Sequence, residues 1–338
     1  MVKFIMDSFK IYTQEDIKAH VKLRKGETKL GEKIQILNGS LSAQHLKISK
    51  ARVVILGIPE DIGVRANYGV GGAKTAWQAF LPAFLNLQQN IFLNGEDILL
   101  LGHFEIGEPE EDDIESLRQK TAAIDELVSP VIETIVKAGK IPVIIGGGHN
   151  NAYPIISGTS WALSQKISVI NIDAHTDLRD VGEGRHSGNG FSNAFTHKLL
   201  AGYTGFGIHQ NYISESLINY SQNNPVKLIY FDDILSNDQS PVNGFKDIVE
   251  GLKGPCGLEI DLDSITGILA SAATPSGFEL NEVRKMILAA ANKFCYLHLC
   301  EGALKLENGR TDLSIGKTLS YLVSDFIKAL HLHNAVLL

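Results

Sequence analysis

Hydrophobic residues gather in short continuous runs along the chain, and longer stretches with helical spacing separate these runs. The runs are rich in Val, Ile and Leu and are typical of strands in a parallel sheet that is covered on both faces. They occupy residues 52–58, 141–148, 167–174, 226–231, 256–263 and 295–300. Helical spacing is clearest over residues 113–138, 242–251, 279–293 and 314–330. This alternation predicts an α/β fold with a mostly parallel sheet, as a single domain of three α/β/α layers.

The first part of the chain differs from the rest in this pattern. Residues 1–50 are more polar and contain no clear strand, so we expect an N-terminal extension packed on one domain formed by residues 51–338. A length of 338 residues suits one large α/β domain, and no Pro/Ser-rich linker or repeat divides it.

Composition and charge exclude several classes of protein. The net charge of -7 comes without a basic block, so we expect no nucleic-acid partner. No apolar run is long enough for a membrane span and the first residues carry charges, so we predict a cytoplasmic protein without membrane contact. Cys256, Cys295 and Cys300 form no paired framework and are expected to be core thiols, with a catalytic Cys300 as the alternative.

Polar residues stand at or just after the ends of three of the predicted strands. The segment VINIDAHTDL delivers Asp173, His175 and Asp177, alternating as if on one face of a strand. The segment IPVIIGGGHN ends in His149, and EIDLDSI contributes Asp261 and Asp263. Since active sites of parallel sheets lie beyond the carboxyl ends of the strands, we expect these groups to converge there.

A set of carboxylates and imidazoles without thiolates matches hard or borderline divalent cations. Six ligands exceed what one zinc ion needs, and bridging carboxylates suit two Mn²⁺-like ions. Taken alone, an Asp after a strand is most often a helix N-cap, and an isolated His is most often a core side chain. The combined spacing favours a metal centre. The predicted ligands are His149, Asp173, His175, Asp177, Asp261 and Asp263.

The motifs GGGHN, NIDAHTDLR and EIDLDSI, in this order, resemble the metal-binding motifs of the arginase family of ureohydrolases, over residues 52–330. The resemblance implies a binuclear manganese site on the six predicted ligands and a trimer or hexamer of identical subunits. It also implies catalytic roles for Asp263, as a proton carrier, and for Glu301, as the carboxylate that binds the amidine-type group. Helix capping or a surface ion pair is the alternative for Glu301. Thr274 resembles a loop threonine near the substrate.

Two features favour a formimidoylglutamase-like substrate. Arg179, two residues after Asp177, resembles the formimidoylglutamase pattern DAHxDLR, whereas arginases carry Asn there. An Arg binds a carboxylate through two hydrogen bonds and repels a guanidinium, so we expect an anionic substrate. The alternative for Arg179 is an ion pair with Asp180 or Glu183. The segment HSGNGF, with Ser187 and Asn189, resembles a substrate loop of the same group.

The chain departs from the family pattern at several positions. Gly148 stands where members usually carry an Asp that orients the adjacent imidazole. The proton-shuttling His of arginases aligns with Ser187, and His186 precedes it as a further catalytic candidate. His209 and Asn211 are substrate-contact candidates where arginases present acidic residues.

The sequence therefore predicts a binuclear manganese hydrolase of a small linear amidine, in the first place N-formimidoyl-L-glutamate. An arginase, agmatinase or guanidino-acid hydrolase that releases urea is the rival within the family. A metal-bound scaffold without turnover and a single-zinc deacetylase on a related fold are alternatives from other classes.

Overall fold

The computed structural model describes residues 8–237 and 240–335, with side chains described up to residue 330. In this part of the chain one nine-stranded sheet has the order β1-β3-β2-β4-β9-β8-β5-β6-β7. The strands are β1 Phe9–Ile11, β2 Val53–Gly57, β3 Ile98–Phe104, β4 Ile141–Ile145, β5 Ile167–Ile172, β6 Leu200–Ile208, β7 Val226–Tyr230, β8 Cys256–Asp261 and β9 Phe294–Cys300. All pair in parallel except β1, which runs antiparallel to β3.

The helices connect these strands. They are α1 Gln14–Lys18, α2 Ala43–Ile48, α3 Ile62–Arg65, α4 Ala76–Leu85, α5 Ile114–Lys137, α6 Ala152–Leu163, α7 Gly190–Thr196, α8 Glu215–Asn223, α9 Phe231–Ser236, α10 Pro241–Glu250, α11 Leu280–Ala290 and α12 Ile315–Ala335. The four predicted helical stretches correspond to α5, α10, α11 and α12. None of the helices that the structure describes is both long and apolar enough to span a bilayer.

Two hydrophobic cores cover the two faces of the sheet. Along β2, Val53 and Ile55 join the core beneath α4, α11 and α12, while Val54 and Leu56 join the core beneath α5, α6 and α7. Successive side chains of a strand point to opposite faces, so a strand buried on both faces needs a continuous apolar run. The predicted three-layer α/β/α fold with a mostly parallel sheet is confirmed.

The prediction that residues 1–50 lack a strand is wrong. Phe9–Ile11 forms β1 at the edge of the sheet, where Phe9 lies opposite Phe104 and their rings meet edge to face at 4.7 Å. A three-residue strand is too short to appear as an apolar run in the sequence. Its stability comes from pairing with the neighbouring strand, which the sequence of residues 9–11 does not reveal. Two longer strands, β3 and β6, were also not predicted.

Candidate metal centre and active site

Four neighbouring strands carry the candidate site at their carboxyl ends. His149 follows β4, Glu301 follows β9, Asp261 ends β8 and Asp173 follows β5. These strands are adjacent in the order β4-β9-β8-β5, with Ile145 opposite Leu299 and Ile172 opposite Ile260. Parallel pairing therefore brings residues from distant parts of the sequence to one edge.

Sharp turns, rather than continued strands, aim the side chains. Gly146 and Gly147 have φ values of +86° and +79°, which lets the chain turn after β4. Asp177 and Glu301 adopt positive φ values of 48° and 63°, which are uncommon for residues with a Cβ. The prediction that Asp173, His175 and Asp177 share a strand face is wrong, since β5 ends at Ile172. The positive φ values of Asp177 and Glu301 are strained backbone conformations, which are typical of functional sites.

A first group of candidate ligands surrounds His149. Its Nδ1 atom lies 2.8 Å from Oδ2 of Asp177, 3.2 Å from Oδ2 of Asp261 and 3.3 Å from Oδ2 of Asp173. The side chains of His149 and Asp173 are fully enclosed, and that of Asp177 is 14% exposed. Three carboxylates and one imidazole thus offer their ligand atoms to one point.

A second group shares Asp173 with the first. Nδ1 of His175 lies 3.5 Å from Oδ1 of Asp173 and 3.1 Å from Oδ2 of Asp263. The two oxygens of Asp173 therefore face different groups, which is the arrangement of a bridging carboxylate. All six predicted ligands fall into these two groups.

The residues present fit a pair of divalent cations. Nε2 of His149 and Oδ1 of Asp263 are buried and have no hydrogen-bond partner within the described chain, while three carboxylate oxygens surround Nδ1 of His149. Buried polar atoms of a folded protein normally have such a partner. A donor set of carboxylate oxygens and imidazole nitrogens suits Mn²⁺ and related ions, whose binding would satisfy Oδ1 of Asp263 and balance the carboxylates around Nδ1 of His149.

The electrostatics point the same way. Burial raises the pKa of Asp263 to about 6, with His175 opposing this rise and Asp173 adding to it. Burial, with Asp261 second, raises the pKa of the Glu301 carboxyl well above its usual range. Burial would lower the pKa of His175, but its hydrogen bonds to Asp173 and Asp263 raise it to about 12. The cluster carries more carboxylates than cationic groups, and bound divalent cations would balance that excess.

A cavity of about 510 Å³ opens over the two groups. Asp261, Asp263 and Glu301 form part of its lining. Glu301 is held by the backbone N–H of His149, which donates to its Oε1 at 2.8 Å. The helix-capping and surface-pair alternatives for Glu301 do not apply, since the side chain is buried against the site.

Arg179 and Ser187 also line this cavity. Arg179 is exposed and forms no ion pair with any carboxylate of the described chain, Asp180 and Glu183 included. Glu183 instead pairs with Arg118 at 3.7 Å. The guanidinium of Arg179 is therefore free to bind an anionic ligand.

The remaining predicted substrate residues lie outside the cavity lining. Asn189 is buried and accepts hydrogen bonds from Arg185 and from the backbone of His186, so it shapes its own loop. The Thr274 hydroxyl accepts from the backbone N–H of Ser276. That Asn189 and Thr274 contact the substrate stays a prediction, since neither side chain lines the cavity.

His209, Asn211 and His186 are likewise outside the lining. His209 stacks between Tyr212 and Phe231, with ring centroids 5.5 and 5.1 Å away, and Asn211 is exposed in the adjoining turn. His186 is fully buried, and its Nδ1 accepts from the N–H of Gly188. A proton-shuttling role for His186 therefore gains no support from its position.

Sequence reasoning missed residues that build the site. Tyr212 lines the cavity and stacks on the His175 ring with centroids 5.0 Å apart. Glu60, buried beyond the end of β2, accepts from the N–H of Gly148 at 3.0 Å and from the Asn151 amide at 2.6 Å. The position of Glu60 just after the buried strand β2 could have indicated that it belongs to the site.

Comparisons with known proteins agree with this geometry. A sequence model of the arginase family matches residues 51–322. The formimidoylglutamase of Staphylococcus epidermidis is 31% identical over 214 residues, which make up 63% of this chain and 63% of that protein.

Solved structures resemble the fold along nearly the whole chain. The formimidoylglutamase of Bacillus subtilis matches with a TM-score of 0.73 and 17% identity, covering 92% of this chain and 94% of that one. The Trypanosoma cruzi formiminoglutamase, solved with Mn²⁺, matches with a TM-score of 0.70 and 19% identity, covering 90% and 98%. The structural likeness establishes the fold. The chain spans 63% of the length of the staphylococcal relative.

Proposed function

This chain belongs to the arginase family, and from that premise we propose that it is a binuclear manganese hydrolase of linear amidines. Its proposed reaction converts N-formimidoyl-L-glutamate and water to L-glutamate and formamide. One observation carries the proposal: two ligand groups share Asp173 at the base of a cavity whose wall presents the unpaired Arg179.

The two ions would be held by His149, Asp173, Asp177 and Asp261 on one side and by Asp173, His175 and Asp263 on the other. When bound, such a pair of ions supplies an activated water at neutral pH and polarises the group under attack. The protein contributes the fixed, largely buried positions of the ligands.

Side chains of the cavity orient the amidine and move the proton. Glu301, held by the His149 N–H, accepts hydrogen bonds from the planar amidine and fixes its carbon near the ligand groups. Water adds to that carbon, and the bond from the carbon to the glutamate nitrogen breaks. Asp263, whose Oδ1 has no partner in the described chain, accepts the water proton and returns it to the leaving nitrogen.

Arg179 supports an acidic substrate. Its guanidinium can bind a carboxylate through two parallel hydrogen bonds and disfavours a cationic guanidine or amine nearby. The relatives' formimidoylglutamase names agree with a glutamate-derived substrate. We propose that the reaction belongs to histidine degradation. The cytoplasmic location and the trimer or hexamer of identical subunits stay predictions from the sequence and the family resemblance.

The test is a substrate panel with metal counting. Mn²⁺-loaded protein is assayed for formamide and urea with N-formimidoyl-L-glutamate, arginine, agmatine and guanidino acids. We expect two Mn²⁺ per subunit and formamide from the first substrate. Urea from arginine or agmatine would assign the rival activity, and two bound ions without turnover would leave a metal-bound scaffold.

Variants of arginine residues test the acidic substrate. Arg179→Gln should raise KM for N-formimidoyl-L-glutamate by about 10–100-fold, the effect of losing a charge-assisted hydrogen bond. Arg310→Gln is the matched control, since Arg310 is exposed and lies outside the cavity lining. An unchanged KM in Arg179→Gln would refute carboxylate binding at this position.

A further inference from the structure

We propose that Glu259 is a positioning residue that orients the His149 imidazole for metal binding. It would take the role of the carboxylate that the chain lacks at position 148. This inference rests on the proposed metal centre, and it concerns how that centre is held.

The two nitrogens of the His149 ring face different surroundings. Nδ1 points at the carboxylates of the first ligand group, whereas Nε2 faces Oε2 of Glu259 at 3.6 Å. Nε2 is buried and has no hydrogen-bond partner in the part of the chain that the structure describes. A ring that binds metal through Nδ1 carries its proton on Nε2, and this proton needs an acceptor. The separation is slightly longer than a hydrogen bond, and Glu259 provides the carboxylate on that side.

Neighbouring side chains fix the Glu259 carboxylate. Nδ1 of His298 lies 2.5 Å from its Oε2, and the Tyr296 hydroxyl donates to its Oε1 at 2.7 Å. Glu259 on β8 and His298 on β9 are opposite each other in the parallel register. All three side chains are fully buried. A buried charged network is weak evidence for stability alone, because the desolvation of its charges opposes its attraction. The network lies directly behind the His149 ring, so it can also hold this ring in position.

The loop before His149 packs closely around Gly148, which has no side chain to orient the imidazole. A Cβ on Gly148 would lie 2.6 Å from Oδ1 of Asn150 and 2.7 Å from Cγ2 of Val64. An Asp at this position, as family members usually carry, would therefore require the side chains of Asn150 and Val64 to shift. The carboxylate behind His149 comes instead from the sheet, through Glu259.

Two variants at the same carboxylate separate positioning from stability. Glu259→Gln removes the charge that faces Nε2, while Tyr296→Phe removes the hydrogen bond on the other oxygen. We expect Glu259→Gln to weaken one of the two Mn²⁺ dissociation constants by about 10–100-fold, as is usual for the partner of a metal-binding His. Tyr296→Phe should leave both constants within about threefold of the wild type while lowering Tm of the metal-free protein. Calorimetric Mn²⁺ titration and thermal unfolding measure these effects.

A crystal structure of the wild-type protein with Mn²⁺ provides a test without variants. It should place Nδ1 of His149 on a metal ion and Nε2 within about 3.2 Å of Glu259. Coordination through Nε2, or equal Mn²⁺ constants in wild type and Glu259→Gln, would overturn the positioning role alone. Binding of fewer than two Mn²⁺ by the wild type would overturn the proposed function together with this inference.

Discussion

The backbone N–H of His149 donates a 2.8 Å hydrogen bond to the Glu301 carboxylate, across 152 residues of sequence. A candidate metal ligand and a candidate substrate-binding group are thus fixed to each other by the pairing of β4 with β9. Glu301 also keeps a left-handed backbone conformation, with φ at +63°. The position of this carboxylate is therefore imposed by the surrounding fold.

We predict that Glu301→Gln lowers kcat/KM for the substrate by about 10²–10³-fold, the usual effect of removing one charge-stabilising contact. The amide can still accept from the His149 N–H, so Mn²⁺ content and Tm should stay unchanged. Steady-state kinetics and metal analysis test this. Glu307→Gln, at an exposed carboxylate further along the same loop, is the control. Wild-type activity in Glu301→Gln would remove Glu301 from the proposed mechanism.

The sharing of Asp173 between the ligand groups predicts unequal effects of two Asp→Asn changes. Asp173→Asn should weaken both metal sites, because both of its oxygens face histidine ligands. Asp263→Asn affects only the group that contains His175, so one tightly bound Mn²⁺ should remain. Mn²⁺ per subunit after dialysis measures the difference. The bridging assignment fails if Asp263→Asn loses both ions and Asp173→Asn retains one.

The packing around Gly148 predicts a cost in stability for any side chain there. Gly148→Ala should lower the free energy of unfolding by about 1–3 kcal/mol, the usual range for overpacking. Gly107→Ala is the control, because a Cβ at Gly107 meets nothing within 4 Å. Its effect should stay within about 0.5 kcal/mol. Urea unfolding of the metal-free proteins tests both variants, and equal stabilities would contradict the steric argument.

The convergence of the candidate ligands could be predicted from sequence because each lies at or just after the end of a long apolar run. Parallel strands place their carboxyl ends at one edge, so His149, Asp173 and Asp261 had to be neighbours once β4, β5 and β8 were placed. The strand β6, LAGYTGFGI, escaped prediction because its glycines interrupt the apolar run.

The cavity wall was less predictable, because its side chains belong to turns whose directions depend on tertiary contacts. Asn189 and His186 lie outside the cavity lining because Arg185 anchors their loop to Asp125. Nε of Arg185 donates a 2.7 Å hydrogen bond to the Asp125 carboxylate. Tyr212 reaches the cavity from a turn after β6 by stacking on His209. The polar position of Glu259 within the apolar strand β8 was visible in the sequence. Its relation to His149 depends on the pairing of β8 with β9.

His186 gives a prediction for the pH dependence of stability. Burial first, and then Arg118, Arg185 and Arg179, lower its pKa to about 3, although Nε2 lies 3.4 Å from the Glu183 carboxylate. The unfolded chain titrates this group near its ordinary value of about 6.5. Between these two values the unfolded state binds a proton that the folded state does not. The contribution of His186 to stability is therefore constant above about pH 6.5 and falls as the pH drops towards 3.

Replacement by Asn removes this titration while its side-chain oxygen can still accept from the Gly188 N–H. Between pH 7.5 and 5.5 the wild type should lose about 1.4 kcal/mol more unfolding free energy than His186→Asn. Urea unfolding of the two metal-free proteins at both pH values measures this difference, and the protonation of the shared metal ligands cancels in the comparison. An identical loss in the two proteins would mean that His186 takes up its proton in the folded state at about the same pH as in the unfolded chain, which would contradict the lowered pKa.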